Sequence, residues 1–98
     1  MPKLNYKIRE NSWLAAIAAR KLRTDKVAMV LGKTIHLHNS SAPDFLQNTS
    51  WLKHELCHVE QFRRHGFLMF VIKYLFESVK NGYYNNKYEI EAREAEGE

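Results

Sequence analysis

One pentapeptide limits what this chain can become: His54-Glu55-Leu56-Cys57-His58. Around it, Trp51, Leu52, Leu56, Val59 and Phe62 recur at helical spacing. This predicts a helix from about Thr49 to about His65, capped by Asn48 or Thr49 and stopped by Gly66. Residues four apart on a helix share a face, about 6 Å apart along the axis. His54 and His58 can therefore offer two imidazoles to one metal ion. Glu55 sits about 100° round the helix from His54. It can reach a water on that ion as a general base without ligating the metal. Two ligands call for a third, and for a core that holds all three still.

With 98 residues and 45% hydrophobic content, the chain is expected to fold as one domain, 1–98, with a modest core. Cys57 stands alone, which excludes an internal disulfide framework and a cysteine-rich zinc module, and fits a reducing compartment. No secretory signal is recognisable, and no apolar run is long enough for a membrane span. The expectation is a cytoplasmic protein. The net charge of +4 is unevenly placed: residues 89–98 hold five glutamates and one arginine, leaving +8 on the other 88. The basic residues are scattered rather than gathered on one face with stacking aromatics, so nucleic acid is not the expected partner.

Residues 1–9 read as an extended lead-in. Asn11 or Ser12 can cap a first helix whose apolar stripe is Trp13 and Ile17 with Leu14 and Leu22, the alanines allowing close packing. Val27–Leu31 and Thr34–His38 are β-prone runs separated by Gly32-Lys33, the signature of a tight type II′ or related hairpin. In the second run Ile35 and Leu37 alternate with Thr34, His36 and His38. The expectation is an edge strand with its histidines in solvent, to which an extended peptide could add. Pro43 marks a short helical start, with Phe45 and Leu46 packing under the motif helix. Phe67 to Val79 is apolar on most sides and reads as a core helix backing the motif helix, ended by Asn81-Gly82. After the connector Tyr83-Tyr84-Asn85-Asn86, a last helix from about Lys87 to Glu96 carries the glutamates. One of Glu89 or Glu91 is expected to point inward as third ligand, with His36 or His38 of the hairpin as the alternative, while Glu94 and Glu96 face solvent.

At these residues the chain resembles the gluzincin metallopeptidases, and most nearly the small soluble minigluzincins. The matching stretches are His54-Glu55-Leu56-Cys57-His58-Val59-Glu60-Gln61 and Tyr88-Glu89-Ile90-Glu91-Ala92. A metzincin continuation does not fit: Gln61 stands where its glycine would be, Arg64 where its third histidine would be, and His65 is one residue late. The resemblance implies an α+β, zincin-like mini-domain built of a helix, a β-ribbon, the motif helix, a backing helix and a glutamate helix. It implies one zinc ion held by His54, His58 and Glu89, the first Glu of its Glu-x-x-Ala pattern. Where the family often has an Asp four residues later to orient a ligand histidine, this chain has Arg93, which could instead pair with Glu89.

The resulting expectation is a zinc metallopeptidase acting on peptide or unfolded protein. Glu55 would be the base, and Tyr83, Tyr84 or Tyr88 the oxyanion donor. Gln61 would support the site, and substrate would lie along Thr34, Ile35, His36, Leu37 and His38. The alternative is a zincin-fold module that binds zinc without turnover. A basic nucleic-acid-binding domain ranks third.

Overall fold

The computed structural model describes residues 4–97. Its order is β1 (Lys7–Arg9), α1 (Trp13–Leu22), β2 (Val27–Leu31), β3 (Thr34–His38), α2 (Ala42–Gln47), α3 (Thr49–His65), α4 (Phe67–Asn81) and α5 (Lys87–Ala95). The α+β class is as expected, and the described residues form five helices and a three-stranded sheet.

The hairpin forms where Gly32-Lys33 predicted it. β2 and β3 pair antiparallel from Val27↔His38 to Leu31↔Thr34. Gly32 takes φ +65°, the left-handed value a II′-type turn needs at its first central residue. An added Cβ there would also meet the Phe67 ring at 3.3 Å, so this turn is pressed against the start of α4.

The position of β3 differs from expectation. The strand order is β1-β3-β2, and β1 pairs with β3 in parallel, Lys7↔Thr34 to Arg9↔His36. Residues 7–9 are thus a strand, and Thr34–His38 is the central one. Ser12 N–H also donates to the Leu37 carbonyl at 3.0 Å. The main-chain groups that an added peptide would need are already satisfied, so the expected substrate strand is not open.

Both faces of the sheet are covered. Ile35, Leu37 and Val30 join Phe45, Val59, Phe62, Phe70 and Tyr88 in the main core. The opposite face receives α1 through Ala15 and Ala19, packed on Val27. Small side chains let this helix approach closely, and as a result its large apolar residues point away. Trp13, Ile17 and Leu22 are exposed, which reverses the expected stripe. His36 is buried beneath α1, sharing a 2.8 Å hydrogen bond between its Nδ1 and Ser12 Oγ, and is not the solvent-facing histidine expected.

α2 begins as Pro43 predicted, with Ser41 as N-cap, and it inserts the fully buried Phe45 edge-on to Trp51 at 5.0 Å. α4 departs most from expectation. Of its residues only Phe70 is fully buried, wedged between Phe62 and Tyr88 with ring centroids 4.6 and 5.0 Å away. Most of its remaining apolar residues face solvent, so α4 backs α3 with one narrow face.

Candidate metal centre

α3 starts at its Asn48 cap, whose Oδ1 accepts from Trp51 N–H at 3.1 Å, and runs unbroken to Gly66 at φ +83°. Val59 and Phe62 turn into the core. The same phase brings His54 and His58 onto the face toward α5, ring centroids 5.1 Å apart. α5 is fixed at its first turn by Asn86, which is fully buried. Its Oδ1 accepts from Tyr88 N–H at 2.8 Å, and its Nδ2 donates to the Tyr74 carbonyl and Ser78 Oγ at 3.1 and 2.8 Å. The cap thereby bolts the glutamate helix to α4 and sets the direction of Glu89, three residues on.

Glu89 points inward, 4% exposed. Its Oε1 lies 3.2 Å from His54 Nε2 and 3.3 Å from His58 Nε2. Among the described residues, His54, His58 and Glu89 form the group that could hold a metal ion. Glu91 points elsewhere: it accepts from Gln61 Nε2 at 2.6 Å and lies 3.6 Å from Arg64.

The donor set fits a cation on two counts. Atoms held about 2.0–2.1 Å from a tetrahedral ion sit about 3.3 Å from one another, close to the two His–Glu spacings here, and all three atoms lie within 4.8 Å of one another. The tautomers point the same way. Gln61, fully buried, turns its NH₂ to the Tyr88 carbonyl at 3.1 Å and to Glu91, so its Oε1 must face His58 Nδ1, 2.8 Å away. His54 Nδ1 meets Glu96 Oε2 at 2.6 Å. With acceptors at both Nδ1 atoms, both histidines carry Nδ1–H and aim their Nε2 lone pairs at the Glu89 carboxylate. Lone pairs facing a carboxylate repel unless a proton or a metal ion sits between them.

The titration of the cluster expresses this competition. Burial alone would lower the His54 pKa, but hydrogen bonding to Glu89, the charge of Glu55 and hydrogen bonding to Glu96 raise it to about 9. His58 is raised in the same sense against its burial, chiefly by Glu89. Burial would raise Glu89, but hydrogen bonds from His54 and His58 hold it well below the usual carboxylate range. Tyr74 adds a hydrogen bond to Glu89 Oε2. Glu55, 4% exposed, is pushed up to about 7 by burial, with His58 and His54 pulling down and the charges of Glu89 and Glu96 pushing up. A carboxylate of that pKa is suited to exchange protons near neutrality.

Of the three tyrosines considered as donors, one faces the cluster. Half of Tyr83 remains in solvent, and its hydroxyl feels the charges of the cluster. Burial of that hydroxyl, with the charges of Glu89 and Glu55, pushes it up to about 12. Tyr88 is a core residue between Phe70 and His65. Tyr84 is largely exposed beneath the Arg93 guanidinium, 4.1 Å from its ring. Arg93 also donates to the Tyr84 carbonyl, and so does not pair with Glu89 as its spacing suggested. His36 and His38 lie outside the cluster.

Three residues of the site were not expected: Glu96, Tyr74 and Asn86. Glu96 is seven residues, about two turns, beyond Glu89 and therefore on the same face. Asn86, three residues before Glu89, has the spacing of a helix cap with an acidic third position. Tyr74 carries no local signal.

A small α+β domain with a buried His₂Glu candidate metal centre is thus the class that fold and site define. The chain matches the eCIS core domain over residues 7–66, more than half its length, and belongs to that family. The match runs from β1 through α3 and includes His54, Glu55 and His58, while Glu89 lies beyond it. No curated protein and no solved structure matches the chain.

Proposed function

We propose that this domain is a zinc-dependent peptidase of gluzincin type. The observation that carries the reading is the convergence of His54, His58 and Glu89 from two helices, with Glu55 buried in the same turn of α3. Two imidazoles and a carboxylate suit zinc, with a fourth position left for water. When bound, zinc would supply Lewis acidity, polarising a substrate carbonyl and lowering the pKa of water there. Glu55 accepts the proton of the attacking water and returns it to the leaving amine. Tyr83 donates its hydroxyl proton in a hydrogen bond to the carbonyl oxygen as charge develops there. Gln61 and Glu96 keep both imidazoles in the ligating tautomer.

The experiment is to purify wild type, His54→Ala and Glu55→Gln, then measure bound zinc and cleavage of an unfolded protein. Wild type and Glu55→Gln should bind one zinc each, His54→Ala should lose it, and only wild type should cleave. A wild type that binds no zinc without chelators present sinks the proposal. One observation favours a second reading, a zinc-holding module without turnover. Thr34–His38, the strand expected to receive substrate, is paired with β1 on one side and β2 on the other. Zinc binding with no cleavage in wild type would select it.

A further inference from the structure

α4 has a second face that the other described residues do not cover. Leu68, Met69, Ile72, Leu75, Phe76 and Val79 are each more than half exposed. At 100° per residue they fall within one sector about 120° wide, opposite the inward-facing Phe70 and Tyr74. Lys73 does not interrupt the stripe, because its ammonium group is turned to His65 Nδ1, 3.2 Å away. The six side chains leave roughly 700 Å² in water, above the few hundred Å² usual for a patch on a monomer. One partner in an interface of standard size contributes about 800 Å².

The spacing says what kind of surface fits. Leu68, Ile72, Leu75 and Val79 are separated by four, three and four residues, the seam that packs against another helix. This seam is complementary to itself when reversed. In an antiparallel pair Leu68 lies opposite Val79 and Ile72 opposite Leu75, so every layer sets a γ-branched side chain against a β-branched one. A two-fold axis between the helices repeats each contact. We propose that α4 is a dimerisation helix, and that the occupant of its outer face is α4 of a second copy of this chain, packed antiparallel.

Sedimentation velocity of the full chain at about 50 μM should give the dimer mass. Ile72→Glu with Leu75→Glu should raise the dimer Kd at least about 100-fold, with helical circular dichroism retained. Val79→Asp, at the most exposed position of the seam, should act in the same direction. Ile17→Glu, which puts a like charge on the exposed face of α1, should leave the dimer intact. In a Cys57→Ala background, Leu68→Cys and Val79→Cys chains should cross-link when mixed and not when separate. A monomeric wild type overturns the proposal, and its flotation with phosphatidylglycerol vesicles would assign the face to a lipid surface instead. A dimer that survives both sets of seam substitutions, that Ile17→Glu dissociates, or whose single-cysteine chains cross-link with themselves, overturns it equally.

Discussion

Gln61 Oε1 accepts from His58 Nδ1 at 2.8 Å, and the amide cannot be reversed, because its NH₂ is committed to the Tyr88 carbonyl and the Glu91 carboxylate. A single buried amide therefore decides which nitrogen of His58 carries its proton. It also joins α3 to the first turns of α5.

Replacing that amide should be felt at the metal before it is felt in the fold. Gln61→Met keeps the volume and removes the acceptor, freeing His58 to turn or to adopt the other tautomer. Metal affinity should fall about 10–100-fold, measured by competition with a chromophoric chelator. The far-ultraviolet circular dichroism should remain that of the wild type.

Glu96 and Arg93 should separate cleanly in the same assay. Glu96 meets His54 Nδ1, whereas Arg93 is engaged with the carbonyl and ring of Tyr84. Glu96→Ala should weaken metal binding by up to about tenfold, the lower end of the range because this carboxylate is partly in solvent. Arg93→Ala should leave affinity unchanged. A loss in Glu96→Ala matched by a comparable gain in Arg93→Ala would mean that charge near the site, rather than orientation of His54, governs affinity.

These residues show where the sequence was informative. α3 and α5 were legible because periodicity and caps are local, and Glu89 followed from its family pattern. β1 was not, since three residues carry no periodicity and a parallel partner leaves no turn signal. Missing it turned the central β3 into an edge. In α1 the large side chains suggested the buried face, yet close approach to a sheet selects alanine. In α4 an apolar surround reads identically whether the second face meets the same chain or another. Glu96 and Tyr74 belong to contacts 42 and 15 residues apart, beyond any local rule.

The metal-free protein should lose stability as pH rises from 6.5 through about 9. His54 is raised in the folded state, so its contribution is complete below its unfolded value of 6.5 and gone above its folded value. Glu55 acts in the same sense between 4.5 and about 7. Glu89 opposes them at the acid end, its contribution being present above 4.5 and lost as pH falls through its depressed value. Thermal melts of the metal-free chain should show Tm declining between pH 6.5 and 9. With metal bound that decline should vanish, because an ion replaces the protons between the imidazoles and the carboxylate. A metal-free Tm that is flat across the interval would count against the clustered geometry.

Tyr83 offers the sharpest division between holding a metal and using it. Its hydroxyl feels the charges of Glu89 and Glu55, and its pKa of about 12 keeps it protonated, and so able to donate, throughout the neutral range. Glu89 already receives a hydrogen bond from Tyr74, so losing the Tyr83 hydroxyl leaves that carboxylate supported. Tyr83→Phe should therefore keep metal affinity within about twofold of wild type. If Tyr83 is the donor to the developing oxyanion, kcat should fall about 100-fold with KM little changed, because the interaction exists only in the transition state. Tyr74→Phe should do the opposite, lowering metal affinity by disturbing Glu89. A Tyr83→Phe variant that loses metal and activity together would make this tyrosine a support of Glu89 and leave the oxyanion to another donor.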